Sequence, residues 1–136
     1  MNALHPLTSP CQSPLVTGHH WLLDLSECQA PATLLEDARV LEPLMVQAAR
    51  TAGMHVVGQV FHQFTPSGVT GAVILSESHL TVHTWPESNF VAIDVYVCDF
   101  NQTNRAKGEQ LAQALTQLFA PRCSNMQAVQ RCSIPQ

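Results

Sequence analysis

From Leu80 to Trp85 apolar and polar residues alternate one by one, and they do so again from Phe90 to Cys98. A period of two marks half-buried strands. With turn residues at Pro66–Gly68 and around Pro86–Asn89 as boundaries, strands are predicted at His55–Phe64, Val69–Leu75, His79–Trp85 and Phe90–Cys98. Upstream, His20–Ser26 places Trp21, Leu23 and Leu25 on one side of a further strand. Two stretches follow a helical period instead. Leu34, Ala38, Leu41, Met45, Ala48 and Ala49 form a stripe over Leu34–Ala52 that ends at Gly53. Leu111, Ala114, Leu115, Leu118 and Phe119 form the second, over Asn104–Phe119. A proline beyond the first helical turn costs ~3 kcal/mol or more, so regular helix is expected to begin close to Pro43. The tail after Pro121 patterns poorly and is read as a last short strand. Residues 1–17, with three prolines and small polar residues, read as a flexible leader, which leaves 18–136 as a single domain. The order β-α-β-β-β-β-α implies an α+β fold: a two-layer α/β sandwich, mainly an antiparallel sheet with helices on one face.

The pattern also sets a register. If His79–Glu87 and Phe90–Cys98 form a hairpin around Ser88–Asn89, then Leu80, Val82 and Thr84 oppose Val97, Val95 and Ile93, all apolar but for the threonine. Thr81, His83 and Trp85 then oppose Tyr96, Asp94 and Ala92 on a mostly polar face. A slip of one residue would mix the two faces. In this register Cys98 lies opposite His79, on the side of His83 and beside Ser78, and Asp94 faces His83. A serine, a histidine and a cysteine thus converge on one sheet face.

Bulk properties narrow the function. The length, 136 residues, suits one domain, and 12% charged residues is low enough to suggest surface hidden in an oligomer. A formal charge of −4 with only six Lys and Arg argues against nucleic acid and against an anionic membrane. No apolar run approaches the ~20 residues of a membrane span, and the N-terminus lacks the basic and apolar blocks of a signal peptide. A cytoplasmic protein with unpaired thiols is the expectation. None of the five cysteines forms a CxxC pair, which argues against structural zinc. His79 and His83 have helix-type metal spacing, but on a strand they are ~13 Å apart. Ser78 lacks the GxSxG elbow of a serine hydrolase. Singly, Cys98 reads as a small buried hydrophobe, His83 as a hydrogen-bonded sheet residue and Trp85 as packing. Together they indicate a small-molecule site on one sheet face, with acyl chemistry as one option.

The stretch SESHLTVHTWPE, residues 76–87, closely resembles the processing-site signature of the prokaryotic S-adenosylmethionine decarboxylase proenzymes, the short pyruvoyl-dependent type. GQVFHQFTPSGVTGAVILSESH and VAIDVYVC resemble the strands on either side, and the resemblance covers roughly residues 18 to 119. It implies a chain that cuts itself after Glu77, giving a β chain 1–77 and an α chain 78–136. The Ser78 hydroxyl would attack the preceding carbonyl, loss of the Ser78 α-proton to His83 would expel the Glu77 carboxylate and leave dehydroalanine, and hydrolysis would turn this into a covalent pyruvoyl group. Thr70, where the family usually has serine, would support the ester step. In turnover the pyruvoyl carbonyl would form a Schiff base with the substrate amine, and Cys98 would return a proton after CO2 leaves. A thiol suits that task, since a reference pKa of ~8.5 keeps it protonated near neutrality. By the same resemblance Phe64 and Trp85 would flank the adenine, Glu87 would take ribose hydroxyls, and a homodimer would hold its sites at the interface. Asp99 stands where the family usually has glycine, placing a carboxylate beside the thiol that could meet an amine on another substrate. Ornithine and arginine are therefore alternative substrates, and a non-processing subunit is a third reading.

Overall fold

The computed structural model describes residues 15–99 and 103–135. Six strands, β1 (Leu15–Cys28), β2 (Val56–Gln63), β3 (Val69–Leu75), β4 (Ser78–Trp85), β5 (Phe90–Cys98) and β6 (Pro121–Pro135), form one sheet in the order β2-β3-β4-β5-β1-β6. Every neighbouring pair is antiparallel. Helices α1 (Thr33–Glu36), α2 (Ala38–Thr51) and α3 (Arg105–Phe119) complete the α+β fold. No described helix is long and apolar enough to cross a membrane.

The period-two alternation works as expected. Trp21, Leu23 and Leu25 on β1, Val69 and Val73 on β3, Leu80 and Val82 on β4, and Val91, Ile93, Val95 and Val97 on β5 are all buried on one side. Leu41, Met45, Val46 and Ala49 of α2 and Leu111, Ala112, Leu115 and Phe119 of α3 are buried with them in a single core. Burial of a side chain of this size contributes about 1.5–3 kcal/mol, so this face holds the layers together. Thr70, Thr81, His83, Asp94 and Tyr96 alternate onto the opposite face, where they remain half-buried.

Four expectations need correction. The strand expected at His20–Ser26 begins at Leu15, inside the expected leader, and residues 1–14 lie outside the described residues. The single helix over Leu34–Ala52 is two, because Asp37 is extended (φ −124°, ψ 116°) and starts α2 afresh. Its carboxylate accepts a hydrogen bond from the Arg39 amide at 2.9 Å, an N-cap contact. Regular helix therefore begins five residues before Pro43, which sits within α2 on its exposed side. The short terminal strand is 15 residues long and pairs with β1 along most of its length. Its weak patterning follows from its position: an edge strand beyond the helices, with residues 122–131 all exposed, has no core face to impose alternation.

The fourth correction concerns the β4–β5 register. Thr81 faces Asp94, His83 faces Ala92, His79 faces Tyr96 and Trp85 faces Phe90. The faces are as expected, but every partner is displaced by two. The cause is the turn: Pro86–Ser88 makes a short 3-10 helix and Asn89 closes it at φ +48°, so the loop is longer than Ser88–Asn89.

α3 approaches the sheet closely at Gly108, where an added Cβ would overlap the Trp21 ring and press on Val97 Cγ2 at 3.0 Å. Gly108→Ala should therefore destabilise the fold by about 1–3 kcal/mol despite its better helix propensity. A denaturant midpoint at or above wild type would contradict this packing.

Candidate active site

The turn joining β3 to β4 has only two residues, Ser76 and Glu77, because Leu75 pairs with Ser78. So tight a connection forces Glu77 to φ +67°, a left-handed conformation that costs an L-residue roughly 1–2 kcal/mol. The peptide bond between Glu77 and Ser78 thus leaves a strained residue. The Ser78 hydroxyl donates to the Ser76 carbonyl at 3.3 Å, and the Ser76 amide donates to His55 O at 3.0 Å.

Cys98 ends β5 at the same end of the sheet and is buried. The Asn104 side-chain amide donates to its carbonyl at 2.8 Å. Asp99, the residue expected to add charge or to meet a substrate amine, is engaged within the fold. Its carboxylate lies 2.9 Å from His19 Nε2 and accepts the Asn104 backbone amide at 2.6 Å, while its own amide donates to Thr17 O.

The other end of β4 holds the remaining candidates. A cavity of about 310 Å3 is lined by Phe64, Thr70, His83, Trp85 and Glu87, together with Ser67, Gly68 and Thr84. Thr70 Oγ1 and His83 Nδ1 are 3.1 Å apart, since Thr70 and His83 are cross-strand partners. The Trp85 ring lies 6.2 Å from His83 and 5.5 Å from Phe90, and both Phe64 and Trp85 are more than two-fifths exposed. Glu87, in the 3-10 turn, reaches the same cavity.

Five of the eight candidates therefore meet in one place, while Ser78, Glu77 and Cys98 gather at the opposite end. Within one chain Ser78 and His83 are not brought together: five residues of extended strand span about 16 Å. Nor does Asp94 face His83, or Cys98 face His79, as the shorter turn had implied.

Along the same face lies a group that the sequence did not bring together. His79, Tyr96 and His20 occupy one cross-strand row, with ring centroids 5.5–6.4 Å apart. Asp94 Oδ2 is 4.0 Å from His20 Nε2, a buried atom without a hydrogen-bond partner, and Arg131 of β6 lies over the Tyr96 ring at 5.2 Å. These residues sit at same-face positions on four strands, a juxtaposition that needed the β1 and β6 pairings. Burial pushes the His79 pKa below its usual 6.5; the His20 and Arg131 charges act the same way, against an opposing pull from Asp94.

A family model described as S-adenosylmethionine decarboxylase matches residues 19–132. The chain belongs to the S-adenosylmethionine decarboxylase family. It is 44% identical over 98 residues to a protein of Symbiobacterium thermophilum named S-adenosylmethionine decarboxylase proenzyme, a match covering 72% of this chain and 73% of that one. It is 46% identical over 81 residues to a protein of the same name from Caldanaerobacter subterraneus, covering 60% of this chain and 64% of its relative. The fold matches a crystal structure of the adenosylmethionine decarboxylase from Aquifex aeolicus with a TM-score of 0.78 at 25% identity, over 90% of this chain and 97% of that one. The S-adenosylmethionine decarboxylase fold thus carries the open face with a cluster at each end of β4.

For this family member the His79 environment has a stability consequence. As pH falls from 6.5, the unfolded chain takes up a proton that the folded chain resists at His79, so folding loses stability toward its depressed pKa and is unaffected above 6.5. The facing groups His20, Asp94, Tyr96 and Arg131 are retained in a His79→Gln variant. That variant should show a flatter decline in urea midpoint between pH 7.5 and 5.5 than wild type, and an unchanged or steeper decline would refute the assignment.

Proposed function

We propose that this chain is the self-processing precursor of a pyruvoyl-dependent decarboxylase that converts S-adenosylmethionine to its decarboxylated sulfonium amine and CO2, a product suited to spermidine synthesis. The observation that carries the substrate is the cavity holding Phe64, Trp85 and Glu87 together. Two exposed aromatic rings offer flat walls to adenine and favour a nearby sulfonium cation, and a carboxylate accepts hydrogen bonds from ribose hydroxyls. Ornithine has no flat group for such walls, neither ornithine nor arginine carries ribose hydroxyls for Glu87, and the Asp99 carboxylate is already engaged by His19 and Asn104.

The residues at the turn fit formation of a pyruvoyl group. Ser78 supplies the hydroxyl, and the left-handed Glu77 raises the energy of the uncut chain by roughly 1–2 kcal/mol, which lessens an uphill amide-to-ester shift. In that shift Ser78 Oγ bonds to the Glu77 carbonyl carbon as the C–N bond breaks. Removal of the Ser78 α-proton then expels the Glu77 carboxylate and leaves dehydroalanine, which water hydrolyses to the pyruvoyl ketone with release of ammonia. The imidazole of His83, held by Thr70, is the base suited to this removal. Once formed, a pyruvoyl group supplies a carbonyl that takes up the electron pair left by CO2. Cys98 Sγ holds the proton returned to the substrate carbon.

Because His83 lies about 16 Å along the strand from its own Ser78, the base must come from a second copy. Two chains meeting through their open sheet faces in opposite directions would set the Ser78 and Cys98 end of one against the His83 and Trp85 end of the other. A homodimer of cleaved chains follows, and the half-buried polar face with exposed Val60 and Ile74 is the surface suited to it.

Two measurements test this reading. Ser78→Ala should remain a single uncut chain by intact mass and release no CO2 from S-adenosylmethionine; full activity in that variant would end the proposal. Expressed alone, His83→Ala should cleave at least about a hundredfold more slowly. Coexpressed with Ser78→Ala, which donates an intact His83, the His83→Ala chain should recover cleavage; no recovery would mean that the base acts within one chain.

A further inference from the structure

Phe64, one wall of the proposed adenine site, stands on a loop rather than on a strand: β2 ends at Gln63 and β3 begins at Val69. Loops hold side chains less firmly than strands do, so something must fix this one. The Gln63 side chain contacts both sides of the gap. Its Oε1 accepts the Ala38 backbone amide at 2.6 Å, the first N–H of α2. Its Nε2 has two hydrogens shared among three carbonyls: Glu36 at 2.7 Å, Gly68 at 3.0 Å and Phe64 at 3.1 Å. The Gly68 amide also donates to Glu36 O, and the Phe64 amide closes the loop onto Gly68 O at 2.9 Å.

Glu36 is the last residue of α1, and helix-end carbonyls lack partners within the helix. The adjacent carbonyl, Leu35 O, accepts from Thr84 Oγ1 at 2.7 Å, and Thr84 precedes Trp85. The short helix α1 is therefore a common post, with Gln63 tying the Phe64 loop to it and Thr84 tying the Trp85 strand. We propose that Gln63 is a positioning residue for substrate binding, setting the spacing of the two aromatic walls without touching the reacting atoms. This rests on the reading of the cavity as the nucleoside site.

The role separates cleanly from the chemistry, because Gln63 is exposed and lies at the far end of β3 from Ser78. Gln63→Leu removes every contact while keeping the bulk. Ala38→Pro removes only the Ala38 N–H, at the first position of α2, where proline is tolerated and the preceding Asp37 is already extended. In mature enzyme, Gln63→Leu should be fully self-cleaved, with kcat within about twofold of wild type and KM for S-adenosylmethionine raised about tenfold, the signature of lost uniform binding. The affinity for 5′-deoxy-5′-methylthioadenosine by calorimetry should weaken by a similar factor. Ala38→Pro should move KM the same way by a smaller factor. Unchanged KM and nucleoside affinity in an active Gln63→Leu enzyme would overturn the positioning role alone, as would a fall in kcat at constant KM. If Gln63→Leu does not fold, an unchanged KM in Ala38→Pro overturns it. A wild-type enzyme that neither decarboxylates S-adenosylmethionine nor binds the nucleoside would instead overturn the substrate reading, and this inference with it.

Discussion

Successive residues of a strand point to opposite sides of a sheet, and this chain uses that constraint to divide its labour. One side of β4 and β5 is buried under α2 and α3 and supplies the cohesion. The other carries His79, His83, Asp94, Tyr96 and Cys98, all borne by strands whose backs are fixed in the core. Polar groups with reactive potential can sit on so firm a support because the inward-facing Leu80, Val82, Ile93 and Val95 meet the folding requirement. A shift of β4 by one residue would bury the histidines and expose the leucine and valine, so correct folding and correct chemistry impose the same register.

Along the strand a second division appears. Backbone strain and the Ser78 hydroxyl are concentrated at the β3–β4 turn, where a two-residue connection leaves Glu77 in a conformation few non-glycine residues adopt. The aromatic cavity and the threonine–histidine pair lie at the far end. A single protomer keeps these halves apart, at opposite ends of β4.

How much of this was legible in the linear chain depends on what kind of signal each feature leaves. β3 and β5 were found at their observed limits because turn residues bound them and buried residues alternate with less buried ones along β3 and from Phe90 to Val97. The candidates Phe64, Thr70, Glu77, Ser78, His83, Trp85, Glu87 and Cys98 came from resemblance to a family motif, and Phe64, Thr70, His83, Trp85 and Glu87 line one cavity. Other features left no such trace. The β4–β5 partners were displaced because a 3-10 turn closed by left-handed Asn89 preserves the faces while lengthening the loop, and alternation is blind to a shift of two. β6 was underestimated because an edge strand has no periodic burial. The engagement of Asp99 by His19 and of Gln63 by the α1–α2 corner depends on contacts 80 and 25–27 residues apart in sequence, beyond any local pattern.

The strand order has a consequence for the molecule after a break at Glu77. The upstream piece would own β1, β2 and β3, and the downstream piece β4, β5 and β6, yet in the sheet they are interleaved as two, two, one and one. β1 is clasped between β5 and β6, while β3 and β4 remain hydrogen-bonded side by side. Parting the fragments would require tearing three ladders at once and emptying the shared core. The nicked molecule should therefore travel as one body, its severed ends held in place by a weave that the cut does not unpick.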